Sequence, residues 1–336
     1  MSTTYRAVQA IAPGKLELTE KPVVAPEPGY VRIRVEACGV CHSDAATIEG
    51  AFPISYPRVP GHEAVGVIDA LGGGVTGWAL GQRVGVGFLG GACGHCDPCR
   101  RGDPVNCRNQ EFTGVQRDGG YAEMMVARAN SLMSVPSNMT SVAAAPLLCA
   151  GLTTFKALRN SGAQAGDLVA VIGIGGLGHL ALQYARHMGF EVAAIARGAD
   201  KEALARELGA RHYIDSTATN PAEALKALGG AAAILATAAG KAISETINGL
   251  RERGRMIVLG VSSDPIELTS GDLIFGGRTI EGSLTGDPAT GDDTLKFSTL
   301  TGVEAMIETL PLERAEEAYA RMMAGQARFR MVLTMN

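Results

Sequence analysis

The run Leu168-Val169-Ala170-Val171-Ile172-Gly173-Ile174-Gly175-Gly176-Leu177-Gly178 decides how the chain folds. Five consecutive apolar residues read as a strand buried on both faces, the habit of parallel sheets. The glycines that follow fit the G-x-G-x-x-G pattern, and residues 179–188 continue with apolar positions at helical spacing. Alone the pattern is weak, but between a strand and a helix it marks a turn that receives a pyrophosphate. Gly173 permits the sharp turn, and Gly175, in a loop completed by Gly176 and Leu177, lets backbone N–H groups approach the anion. Gly178 allows close helix–strand packing, and the helix N-terminus favours negative charge.

Outward from this turn, residues 191–195, 212–214, 232–235 and 255–261 read as further strands with helical patterns between them. Such alternation predicts a doubly wound parallel sheet, the Rossmann arrangement. The adenosine ribose of a dinucleotide is read at the end of the second strand, about 20 residues after the glycines. That strand ends Ile195-Ala196-Arg197-Gly198. Ala196 stands where an NAD-selective site wants a carboxylate, while Arg197 offers a planar fork for a 2′-phosphate. NADP(H) is slightly favoured over NAD(H), the alternative being a solvated arginine at a strand end. Before Cys149 the texture differs: short alternating segments such as 31–35 and 64–68 lie among Gly- and Pro-rich loops. Near the end, residues 312–323 read as a helix and 329–334 as a strand.

The length of 336 residues asks for two domains. Thirty Lys and Arg face 34 acids, a net charge of −4 without a basic run, which argues against a nucleic-acid partner. Residues 1–18 carry no signal-peptide pattern, and the apolar stretches fall short of the ~20 residues a membrane helix needs. No membrane partner and a cytoplasmic location are therefore expected.

Of seven cysteines, Cys93, Cys96, Cys99 and Cys107 form C-x2-C-x2-C-x7-C. In a reducing compartment this spacing reads as metal ligation rather than a disulfide framework. Thiolates this close repel one another unless a cation neutralises them, and zinc accepts four sulfurs tetrahedrally. The rival is an iron–sulfur site of an electron-transfer protein, whose run would place the fourth Cys at x3, followed by Pro. His95 lies inside the loop, but four sulfurs already complete a site.

Three further segments carry candidate ligands: Gly39-Val40-Cys41-His42-Ser43-Asp44, Pro60-Gly61-His62-Glu63 and Leu147-Leu148-Cys149-Ala150-Gly151. Singly each is unremarkable, and a Cys between Leu148 and Ala150 is ordinarily a core residue. Together with the cysteine loop and the glycine turn, in this order, they resemble the zinc-containing medium-chain dehydrogenase/reductase family, the alcohol dehydrogenases of yeast and bacterial type. The resemblance runs over essentially the whole chain.

It implies two zinc ions per subunit. Cys41, His62 and Cys149 would hold a catalytic one with an open fourth position, and Cys93, Cys96, Cys99 and Cys107 a structural one. Glu63 would lie beside the catalytic metal, and Asp44 would orient the ligand histidine. Ser43 matches the hydroxyl that takes the alcohol proton. His42 and Arg330 match basic residues near the cofactor pyrophosphate, and Thr153 and Leu177 support the nicotinamide ring. Phe52 and Phe88 align with the walls of the substrate pocket, which favours medium-sized or aromatic primary alcohols and aldehydes. Ala45 and Ala46 stand where many relatives carry a relay histidine, so the proton is expected to leave from Ser43 through ribose and water.

The implied architecture is a GroES-like, β-rich catalytic domain of residues 1–148 and 284–336 around a dinucleotide-binding domain of 149–283. The implied assembly is a homo-oligomer, tetramer or dimer. A polyol or secondary-alcohol dehydrogenase is the rival within the family. A zinc-free reductase of the same fold would lack the Cys41–His62–Cys149 set.

Overall fold

The computed structural model describes residues 3–238 and 240–335. The chain forms two compact units, Met1–Leu152 with Thr285–Asn336, and Thr153–Leu284.

The second unit is built on six parallel strands in the order His212–Asp215, Glu191–Ala196, Leu168–Ile172, Ala231–Ala236, Leu250–Val258, Thr279–Gly282. Leu168–Ile172 and Ala231–Ala236 are buried along their whole length, as their unbroken apolar runs require. The strand order reverses between these two, so the glycine turn after Ile172 sits at a topological switch point. Helix Gly178–His187 follows directly and buries Leu180, Leu182 and Tyr184. Helix Pro221–Ala227 starts where Asn220 accepts hydrogen bonds from the Ala222 and Glu223 amides, with Pro221 in the first turn. Strand Thr279–Gly282 was not legible in the sequence: it is short and largely exposed, with no apolar run to mark it.

The first unit carries a mostly antiparallel sheet in the order Ile307–Pro311, Arg330–Thr334, Tyr30–Val40, Ala64–Leu71, Arg83–Val86, Leu132–Ser134, with Met124–Arg128 also paired to Tyr30–Val40. Val31, Ile33 and Val35 alternate into its core beside Ile68, Val84 and Met125. Each fully buried side chain of this size contributes roughly 1.5–3 kcal/mol. Tyr30–Val40 loses its alternation at Ala37–Val40, all buried, where the strand lies between Ala64–Leu71 and Arg330–Thr334 and runs straight into Cys41.

The division of the chain falls inside helix Ala150–Asn160 rather than after residue 148, so Cys149 belongs to the first unit. The cause is packing. Gly85 and Gly286 lack side chains where Leu148 and Leu152 press in; a Cβ would lie 2.6 Å from Leu148 Cδ2 and 2.5 Å from Leu152 Cδ1.

Candidate metal and cofactor sites

The end of strand Tyr30–Val40 delivers Cys41, and the tight turn His42–Asp44 folds the Asp44 carboxylate back over it. Asp44 is buried and its oxygens are fully used. Oδ2 accepts the Cys41 amide at 2.9 Å and the Tyr121 hydroxyl at 2.9 Å; Oδ1 takes His62 Nδ1 at 2.9 Å. His62 therefore keeps its proton on Nδ1 and presents Nε2 as the free donor atom. Nε2 is buried and has no hydrogen-bond partner among the described residues.

Cys149 comes in from the turn that precedes helix Ala150–Asn160. Its Sγ lies 3.8 Å from that of Cys41, and both are free thiols. Two sulfurs held about 2.3 Å from one tetrahedral zinc stand about 3.8 Å apart, so the spacing is that of a shared metal rather than of a disulfide. Ligand atoms of Cys41, His62, Glu63 and Cys149 all lie within 4.8 Å of one another. Glu63 gives Oε1 to the Arg330 guanidinium in a fully buried pair, and Oε2 is left without a partner.

The titratable groups of the cluster shift one another strongly. Its bond to the Cys149 sulfur holds the Cys41 thiol well below the ordinary range despite burial, with His62 adding to the effect. Cys149 is pushed well up, first by that bond and then by burial. Burial works against a charged His62, but Asp44 and Cys41 outweigh it and raise the imidazole. Burial lifts Glu63 to about 7 against the pull of Arg330. A zinc ion would displace the shared protons and satisfy Nε2, so these residues fit the metal.

Phe88 meets His62 edge-on at 5.0 Å and stacks on Phe112 at 4.6 Å. Ser43 Oγ lies 3.7 Å from Cys41 Sγ and is exposed, as is His42. Phe52 is 52% exposed on the loop after Gly50, apart from the Phe88–Phe112 stack. Arg330, expected at a pyrophosphate, is buried with its Nη2 on Glu63 and its Nε unpartnered.

The second cluster gathers Cys93, Cys96, Cys99 and Cys107 around helix Asp97–Arg100, with ligand atoms within 4.8 Å. Cys107 Sγ accepts the amides of Cys93 and Asn109, and the Asn109 side chain donates to Cys93 Sγ. That side chain helps push Cys93 down to about 5, while burial and Cys96 push Cys99 up to about 12. The set is closed, with four sulfurs and no open position, and His95 Nδ1 bonds the Cys93 carbonyl instead.

In the second unit, Gly173 has φ of 89°. A Cβ on Gly178 would lie 1.8 Å from the Gly173 carbonyl oxygen, the close helix–strand approach expected of this glycine. A Cβ on Gly175 would meet nothing within 4 Å, leaving the cradle open beside Gly176 and Leu177, which caps the helix. Arg197 is exposed just past strand Glu191–Ala196. Lys201, missed in the sequence, sends Nζ to the Ile174 carbonyl inside the glycine turn, 2.9 Å away. Asp215 pairs with Ala196 on the neighbouring strand, but its Oδ1 accepts the Gly198 amide and the Thr217 amide and hydroxyl. Thr153 is buried in helix Ala150–Asn160. Tyr121 and Phe112 were likewise missed, since nothing marks them beside a ligand, and so was Asn109, although it stands two residues after Cys107.

The chain matches the model of the alcohol dehydrogenase GroES-like domain over residues 27–137 and that of the zinc-binding dehydrogenase over 176–300. It is 42% identical to alcohol dehydrogenase notN of Aspergillus sp. (strain MF297-2), over 99% of this chain and 98% of that one. Among solved structures it is similar to the cinnamyl alcohol dehydrogenase SbCAD4 of Sorghum bicolor, with a TM-score of 0.89, 31% identity and coverage of 98% and 97%. It also superposes on the CAD of Helicobacter pylori in complex with NADP(H), with a TM-score of 0.87, 28% identity and 99% of each chain covered. A β-rich unit with two clusters of metal-ligand side chains, in one chain with a doubly wound parallel-sheet unit, defines a zinc-binding dehydrogenase. The chain belongs to the zinc-containing medium-chain dehydrogenase/reductase family.

Proposed function

We propose that the protein interconverts primary alcohols, medium-sized or aromatic, with their aldehydes, using two zinc ions per chain and preferring NADP(H). The observation that carries the reading is the Cys41–His62–Cys149 set, with Cys41 and His62 buried, Cys149 half-buried and His62 Nε2 unpartnered. When bound, zinc supplies Lewis-acid polarisation of the substrate oxygen and the nicotinamide accepts or returns hydride.

The protein's own groups do the rest. Asp44 locks the His62 tautomer, and Ser43, exposed beside Cys41, is placed to take or give the alcohol proton. Phe88 backed by Phe112 gives an apolar wall beside His62 that favours an aromatic or medium chain, while the exposed Phe52 has no ring contact to them that would support it as a second wall. Gly173, Gly175 and Gly178 receive the pyrophosphate, and Leu177 and Thr153 support the ring, whereas Arg330, buried on Glu63, serves that carboxylate. Ala196 followed by Arg197, with Lys201 close to the same turn, supports the 2′-phosphate. The cysteine spacing, read as metal ligation rather than a disulfide framework, supports a cytoplasmic location. Among the described residues, no single helix is long and apolar enough to cross a membrane. Strand Thr279–Gly282 ends its sheet, and Ile274 and Phe275 nearby are strongly exposed, which supports a homo-oligomer.

The test is kcat/KM for an aromatic aldehyde with NADPH and with NADH, in the wild type and in Arg197→Ala. The expected result is an NADPH preference that Arg197→Ala reduces by about 1–2 kcal/mol, or roughly tenfold. An NADH preference unchanged by the substitution would make Arg197 a surface residue.

A further inference from the structure

Glu63 is the acid of the Cys41 cluster, and its carboxylate packs where a side chain on Gly39 would stand. Gly39 keeps an ordinary strand backbone, with φ outside the left-handed region, so its conformation does not require glycine. Its surroundings do. A Cβ there would lie 1.8 Å from Glu63 Oε2, 2.9 Å from Cδ and 3.0 Å from Cβ. The backbone has little room to retreat: Gly39 donates to the Glu63 carbonyl at 3.1 Å and pairs with Val332 on the other side. Glu63 Oε2 is fully buried and unpartnered, although Oε1 is tied to Arg330. The carboxylate thus rests, through Oε2, in a seat made by the absent Cβ, and one of its oxygens lies within 4.8 Å of the ligand atoms of Cys41, His62 and Cys149.

We propose that Gly39 is the positioning residue that keeps the fourth metal position open, by giving Glu63 somewhere to stand other than on the metal. This rests on the reading of Cys41, His62 and Cys149 as a zinc site. Closing the seat moves the carboxylate away from strand Tyr30–Val40 and into the ligand cluster, where a site of two sulfurs and one nitrogen has room for one oxygen. The result is a closed, four-ligand site: metal held more firmly, substrate excluded.

The experiment compares the wild type, Gly39→Ala and Gly39→Ala/Glu63→Gln. Measured are metal per chain, the rate of metal loss from the Cys41 site to a chelator, the visible spectrum after cobalt substitution, and kcat. The alanine variant is expected to release metal at least about tenfold more slowly, to shift its cobalt bands and to lose at least about tenfold in kcat. The double variant keeps the crowding but replaces the anionic ligand with an amide, and its release rate is expected to return to within about threefold of the wild type. An unchanged spectrum and release rate in Gly39→Ala overturn the proposal. So do faster metal loss or failure to fold, because the carboxylate then moved elsewhere or the strand gave way. A wild type that binds metal only at the Cys93–Cys107 lobe overturns the zinc reading itself, which separates the two failures.

Discussion

Asp44 illustrates how much one carboxylate can organise. It accepts from Cys41, Tyr121 and His62 at once, so a ligand, its tautomer and the turn between them depend on a single side chain. Replacing Asp44 by Ala is expected to weaken zinc binding at the Cys41 site about 10–100-fold while leaving the Cys93 lobe loaded, as read by chelator competition. Loss of metal from both sites would show a general folding defect instead. Ser43→Ala is expected to lower kcat by about 10²-fold or more, and Ala46→Ser to leave it nearly unchanged. Turnover that survives Ser43→Ala would remove Ser43 from proton transfer. At this scale the cysteine lobe was legible from its spacing, whereas Cys41, His62 and Cys149 were expected only through the family resemblance, since each alone reads as an ordinary residue. Tyr121 was not legible, because its role depends on a contact 77 positions away in sequence.

Individual elements divide by how local their signals are. Strand Leu168–Ile172 and helix Gly178–His187 stood out because an apolar run and glycine punctuation lie within a dozen residues. Thr279–Gly282 carries no such signal and is held by pairing with Leu250–Val258. The same parallel sheet has an electrostatic tie at its rim. Asp167, just before the first strand, takes the Gln164 amide and a two-point bond from Arg251 on the strand Leu250–Val258. The Gln164 amide, then Arg251, holds the Asp167 carboxyl below its usual range. Because the folded pKa is depressed, the stabilisation is present above the unfolded value of about 3.9 and is lost as pH falls through the folded one. Asp167→Asn is therefore expected to lower Tm at neutral pH and to narrow its gap from the wild type below about pH 3.5, in thermal melts across that range. A gap that stays constant with pH would show that the tie works through hydrogen bonding alone.

For the molecule as a whole, the change of texture near residue 149 showed two units, but not where one stops. Leu148 and Leu152 pack into gaps at Gly85 and Gly286, contacts distant in sequence, and they carry Cys149 into the β-rich unit. The cysteine lobe is closed and distinct from the Cys41 set. Cys99→Ser is expected to remove one zinc per chain and to lower Tm by several degrees, with the Cys41 site still loaded, by metal analysis and melting. Retention of full metal content would mean that the lobe is not a zinc site.

The β-rich unit is written in two instalments, 1–152 and 285–336, with the whole nucleotide-binding unit between them. A ribosome at about 5–20 residues per second needs on the order of ten seconds to translate the intervening stretch. For that interval Cys41, His62 and Cys149 exist, while the strand bearing Arg330 has not been made. A nascent chain therefore holds thiols and an uncompensated Glu63 before the sheet can close over them. The order of events at birth, metal first or last strand first, sets whether the cluster is loaded as a finished pocket or assembled around its ion.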